Sequence, residues 1–185
     1  MIKKGFLITV FFILINIVNS NYMVKGEEKL IYDYNIKSIN GEKIDFSIFK
    51  GKTILLVNVA SNCGFTKQYN DLQKLWENYK NKNLIVFGVP SNQFGGQEPG
   101  TNDEIKNFCE KNFNINFPMS EKYDVKGENA HQIYKWAKDT FGNSAIPKWN
   151  FHKILIGKNG KVHKTYASFT NPMSNKIIKE IENIL

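Results

Sequence analysis

Two cysteines are the residues of this chain best suited to covalent chemistry, and they stand 46 positions apart at Cys63 and Cys109. Cys63 opens the tetrapeptide Cys63-Gly64-Phe65-Thr66, where Thr66 occupies the place of the second cysteine of a dithiol turn. Exchange within that turn is therefore impossible, while sulfenic acid chemistry at the single thiol stays open. The apolar run from Thr53 to Ala60 leads into Cys63, and a helix-patterned stretch follows it. A thiol between the carboxyl end of a strand and the start of a helix meets backbone N–H groups and the positive end of the helix dipole, which favour thiolate. Thiolates are both nucleophilic and oxidisable. On position alone a reactive Cys63 and a merely buried one are equally open, and an even pair of cysteines also leaves open one structural disulfide. His131, His152 and His163 sit at no spacing typical of zinc ligands. They are expected to be ordinary surface or half-buried residues, with no metal and no cofactor.

The elements that must position these groups follow from periodicity. Asn40-Gly41, between Ile36-Lys37 and Ile44-Asp45-Phe46, reads as a hairpin with a tight turn. Thr53 to Ala60 is short, apolar and β-branched, as a strand buried on both faces requires. Thr66 to Lys80 places Tyr69, Leu72, Leu75, Trp76 and Tyr79 on one helical stripe. Leu84 to Val89 predicts a second buried strand, followed by the Gly- and Pro-rich loop Pro90 to Gly100. Thr101-Asn102-Asp103-Glu104 has the capping-box pattern and opens a helix carrying Ile105, Phe108 and Cys109. A further helix spans Ala130 to Phe141, a hairpin turns at Asn159-Gly160 between Phe151–Ile156 and Val162–Tyr166, and Pro172 to Leu185 closes the chain as a helix. This order predicts an α/β fold with a central mixed sheet flanked by helices on both faces, its first two buried strands parallel.

With 185 residues the chain accommodates one domain with a proper core. The formal charge of +8 comes entirely from lysine, because there is no arginine. Without arginine, sequence-specific nucleic-acid recognition loses its usual reader, and the scattered lysines read as a solvated surface. Residues 1–20 differ from the rest: Lys3 and Lys4, an apolar run of about 14 residues and the small Ser20 describe a secretory signal peptide, too short to cross a bilayer comfortably. The expected division is a signal peptide over 1–20, a short linker over 21–28 and one domain over 29–185. Met23 offers a second start, and with it an untargeted cytosolic form.

Three segments carry a family resemblance. Asn58-Val59-Ala60-Ser61-Asn62-Cys63-Gly64 resembles the active-site segment of the glutathione peroxidases, where the position of Cys63 holds selenocysteine or cysteine. Val89 to Gly100 (VPSNQFGGQEPG) is similar to their second signature, and Trp149-Asn150-Phe151 to their third. The resemblance runs from about Leu30 to the C-terminus, with the motifs in family order. It implies a thioredoxin-like fold and a catalytic site formed by Cys63, Gln97, Trp149 and Asn150. The side chains suit that role, since two amides and an indole supply N–H donors that can stabilise a sulfur anion and guide a departing oxygen.

The resemblance further implies a non-selenium thiol peroxidase that reduces hydrogen peroxide and organic or lipid hydroperoxides through a Cys63 sulfenic acid. Cys109 is the implied resolving cysteine, one position earlier than in plant-type members, an offset that turns a helical side chain by roughly 100°. The short stretch between Trp136 and Trp149 lacks the insertion that tetrameric members use for assembly, and the arginines that bind glutathione are absent. A monomer recycled by thioredoxin or a related dithiol protein is expected, with no stable membrane association after signal cleavage. Two other routes use the same thiol: a luminal oxidase that passes disulfides to a protein disulfide isomerase, and a glutathione-dependent peroxidase. The signal admits a lumen, secretion or a plastid as destination.

Overall fold

The computed structural model describes residues 28–185; the expected signal peptide, the second start at Met23 and the linker up to 27 lie outside the described residues. Strands β1 (Asn35–Lys37) and β2 (Lys43–Asp45) form the first hairpin, with Ile36 opposite Ile44. Its turn is slightly longer than two residues: Ser38 N–H donates to Glu42 O at 2.7 Å, which leaves Ile39, Asn40 and Gly41 as the loop. The main sheet contains β3 (Thr53–Val59), β4 (Leu84–Pro90), β5 (Lys153–Ile156) and β6 (Val162–Tyr166), in the order β4-β3-β5-β6. Strand β3 runs parallel to β4 and antiparallel to β5, so the sheet is mixed as expected. Although β4 is an edge strand, β3 and β4 are both buried along their whole length, which explains their unbroken apolar sequence.

Four helices cover the sheet: α1 (Gln68–Tyr79), α2 (Asn102–Phe113), α3 (Gln132–Phe141) and α4 (Asn175–Ile184). Leu55, Val57 and Val59 of β3 share one core with Tyr69 and Leu72 of α1, Ile105 and Cys109 of α2, and Ile177 and Ile181 of α4. Ile54 and Leu56, pointing the other way, share a second core with Phe46, Phe49 and the α3 residues Ile133 and Tyr134. Each fully buried Ile or Leu removes enough apolar surface to stabilise the fold by roughly 1.5–3 kcal/mol.

Helix ends differ from the periodic expectation wherever a side chain caps the backbone first. Helix α1 starts at Gln68 rather than Thr66, because Thr66 belongs to the turn that holds Cys63. His131 accepts from Ile133 N–H and sets the start of α3, and Asn171 accepts from Met173 N–H ahead of α4. The capping box on α2 forms as expected, with Thr101 N–H donating to Glu104 and Glu104 N–H to the Thr101 hydroxyl. Among the described residues no helix is long and apolar enough to cross a membrane.

Candidate active site

Cys63 lies at the carboxyl end of β3 in a turn whose geometry Thr66 dictates. The Thr66 hydroxyl accepts from Cys63 N–H at 2.9 Å and donates to Ala60 O at 2.9 Å, so one side chain ties the thiol residue to the strand it leaves. The Cys63 sulfur accepts from Phe65 N–H at 3.4 Å, and the residue is 9% exposed. An N–H donor at that distance stabilises negative charge on sulfur.

The loop between β4 and α2 delivers Gln97 to this turn. Gln97 O accepts from Asn62 N–H at 3.0 Å, one residue before the thiol. Gln93 holds the loop from below, its amide pairing with Val125 N–H, Lys126 N–H and Lys126 O. Lys122 Nζ donates to Glu98 O and Gly100 O, and Glu98 N–H to Asn92 Oδ1. At Gly95 φ is +68°, and an added Cβ would sit 3.6 Å from the Trp149 ring and 3.7 Å from the Gln97 side chain. Glycine there permits the left-handed turn that brings the two together.

The segment before β5 supplies the remaining two residues. Asn150 is fully buried and its Nδ2 donates to Gln97 Oε1 at 2.9 Å and to Phe94 O at 3.5 Å. Trp149 is 40% exposed and packs on Phe94 with ring centroids 5.9 Å apart, so it is a surface aromatic rather than a core one. The segment is clamped by Asn58 of β3, which donates to Trp149 O and accepts from His152 N–H, both at 3.1 Å. Phe151 adopts φ +62°, rare for a bulky residue, and its N–H donates to Asn58 O at 2.6 Å. An open cavity of about 460 Å³ adjoins the thiol turn, with Phe65, Trp149, His152 and Phe169 in its wall.

Cys109 sits within α2, 1% exposed, in the same core as Cys63, and both thiols are free. Burial pushes its thiol up to about 12, against a partly opposing contact from the Tyr69 hydroxyl. His152 departs from the sequence expectation, because the backbone clamp of Asn58 draws it inside. It is buried, and burial followed by the charges of Lys153 and Lys148 lowers its pKa to about 4. Among the described residues no cluster of three or more His, Cys, Asp or Glu could hold a metal ion.

These features can be set against known proteins. The glutathione peroxidase family model matches residues 31–138. The chain is 43% identical over 158 residues to glutathione peroxidase-like peroxiredoxin 2 of Saccharomyces cerevisiae, covering 83% of this chain and 96% of that one. The chain belongs to the glutathione peroxidase family. Hydroperoxy fatty acid reductase gpx1 of a Synechocystis species is 42% identical over 171 residues, with 88% of this chain and all of that one covered. A crystal structure of Trgpx in apo form superposes with a TM-score of 0.67 at 34% identity, over 84% of this chain and 95% of that one. Family membership makes the chain a peroxidase, as the three motifs implied, and its fold is the thioredoxin-like one.

Within this glutathione peroxidase the three motifs converge in space, which their order along the chain did not by itself require. Motif residues beyond the four candidates hold the site together. Asn58 lies inside the first motif, yet in sequence it reads only as a polar interruption of a buried strand. Glu98 lies inside the second, 1% exposed, and burial pushes its carboxyl up to about 7, while Ser61 and the Lys122 charge act in the opposite direction. A polar residue inside an otherwise apolar strand was the one signal that could have marked Asn58.

Proposed function

We propose that this protein is a thiol peroxidase in which Cys63 is the peroxidatic nucleophile and Gln97 and Trp149 are donors to the reacting oxygen and sulfur. The observation that carries the proposal is the Asn150–Gln97 bond at 2.9 Å, beside the Cys63 turn that Gln97 O also joins through Asn62 N–H. Accepting on Oε1 leaves the Nε2 hydrogens of Gln97 free to donate.

In the first step the Cys63 thiolate attacks one peroxide oxygen and the O–O bond breaks. Sulfur gives up two electrons and becomes a sulfenic acid, and the departing alkoxide or hydroxide takes a proton to leave as alcohol or water. Asn150 acts by orienting Gln97. Cys109 then attacks the sulfenic sulfur, expelling water and forming a disulfide, which thioredoxin or a related dithiol protein reduces by exchange. Hydroperoxy fatty acids, named for the Synechocystis relative, fit the apolar cavity wall of Phe65, Trp149 and Phe169. The enzyme works as a monomer behind a cleaved signal, in a lumen, outside the cell or in a plastid.

Steady-state peroxide consumption by the full chain, with thioredoxin or glutathione as sole reductant, tests this reading. Turnover with thioredoxin, lost in a folded Cys63→Ser variant, is expected. Equal turnover in Cys63→Ser ends the peroxidase mechanism, and turnover with glutathione alone ends the dithiol recycling.

A further inference from the structure

Lys153 is an unexpected core residue. It stands on β5 opposite Val57 and Tyr166, is followed by Ile154, Leu155 and Ile156, and has no exposed surface. Taking an ammonium group out of water costs several kcal/mol, and an apolar side chain at such a position usually leaves a protein equally or more stable. Among the described residues no carboxylate pairs with it. Its three N–H donors are instead matched by three neutral acceptors: Gln68 Oε1 at 2.6 Å, Ser168 O at 3.1 Å and Thr170 O at 2.7 Å. Gln68 Nε2 donates to the same Ser168 carbonyl at 2.7 Å.

The two carbonyls belong to the connection between β6 and α4, a short surface stretch outside the sheet. Between them lies Phe169, 76% exposed, in the wall of the cavity that also contains Phe65 and Trp149. Phe65 is the residue whose N–H donates to the Cys63 sulfur. The stretch is thus gripped from inside by a buried amino group, charged below about pH 7, while its outer side faces the cavity beside the thiol turn. Charge-assisted bonds to carbonyls are about twice as strong as neutral ones, and they fix a backbone that no strand or helix would otherwise hold.

We propose that Lys153 is a positioning residue: by holding Ser168 and Thr170 it sets Phe169 as a wall of the cavity that adjoins the Cys63 turn through Phe65, and so raises the preference for bulky apolar hydroperoxides over hydrogen peroxide. The proposal rests on Cys63 being the residue oxidised.

The test compares second-order rates of Cys63 oxidation by cumene hydroperoxide and by hydrogen peroxide, measured by stopped flow on the full chain. In Phe169→Ala the ratio of the two rates falls about tenfold. Lys153→Met, which keeps the length and removes the buried charge, lowers the same ratio by a similar factor. Gln68→Ala, which loosens the same grip, does so more weakly and carries the test if Lys153→Met does not fold. A ratio within twofold of the parent in Phe169→Ala overturns the role of the wall. A fall in Phe169→Ala alone, with Lys153→Met and Gln68→Ala like the parent, overturns the role of Lys153. If the parent loses no Cys63 thiol to either peroxide, the peroxidase mechanism fails first and this proposal fails with it.

Discussion

Asn150 Nδ2 lies 2.9 Å from Gln97 Oε1, and this contact decides which way the Gln97 amide points. The two side chains come from segments 53 residues apart, so the orientation exists only in the folded chain. If Asn150 acts through Gln97, removing either should cost nearly the same. Asn150→Ala and Gln97→Ala are each expected to slow Cys63 oxidation by about ten- to a thousand-fold, and the double variant to be no slower than the worse single one. Stopped-flow rates with hydrogen peroxide check this. Additive losses would mean that the two amides act independently.

Burial raises the Cys109 thiol to about 12 in a helix interior, which disfavours the thiolate that would attack Cys63. If Cys109 resolves the sulfenic acid, part of α2 is expected to open before the disulfide forms. Disulfide formation is therefore expected to be a first-order step whose rate does not change with peroxide concentration. Cys109→Ser should keep the first oxidation, lose thioredoxin-driven turnover and accumulate sulfinic Cys63. Quenched-flow mass spectrometry resolves each species. Full turnover in Cys109→Ser would return Cys109 to a packing role.

Asn58→Ala should be costly for a small change. It strips the partners from Trp149 O and His152 N–H, and the latter bond is fully buried. The expected loss is about 2–4 kcal/mol, from two backbone groups left unpaired. Urea denaturation measures it. At temperatures where the variant stays folded, Cys63 oxidation should still be slower than in the parent, because the Trp149–Asn150 segment is no longer clamped.

His152 and Glu98 give opposite slopes of stability with pH. His152 titrates near 4 folded against about 6.5 free, so its stability contribution is present above pH 6.5 and lost as pH falls towards 4. Glu98 titrates near 7 folded against 4.5 free, so its contribution is present below pH 4.5 and lost as pH rises to 7. Between pH 4.5 and 6.5 the two cancel and the parent should be nearly flat. Glu98→Gln should instead gain stability with rising pH, by up to roughly 3 kcal/mol across that window. Above pH 7 stability should rise further, because Lys153 titrates near 7 folded and 10.5 free and the unfolded chain holds more protons. Urea midpoints at pH 4.5, 5.5, 6.5 and 8 report all three slopes.

Most elements were legible because each is a local pattern. The two buried strands, the α2 capping box and the Ile177–Ile181 stripe follow from periodicity and short-range chemistry. The candidate site beyond Cys63 was proposed only through motif resemblance, since nothing local distinguishes Gln97 from any other loop amide. Lys153 and His152 could not be read at all. The acceptors that make the buried lysine tolerable lie on α1, 85 residues away, and beyond β6, and no period in the sequence encodes such a meeting. Phe151 escaped for a related reason: its positive φ follows from the Asn58 clamp, not from its own preference.

Strand β3 carries the clamp for Trp149 at Asn58 and leads into the thiol turn, with 91 residues separating that clamp from its partner. During synthesis at about 5–20 residues per second, Asn58 waits on the order of 5–20 s for Trp149 to be made. Through the latter part of that interval Cys63 and Gln97 are already present while Trp149 and Asn150 are not. On the proposed mechanism the nascent chain carries an incomplete site, which closes only with the long-range pairing of β3 with β5. Such non-local pairing is slow to form, so recovery of peroxide reactivity on refolding should trail the return of helix.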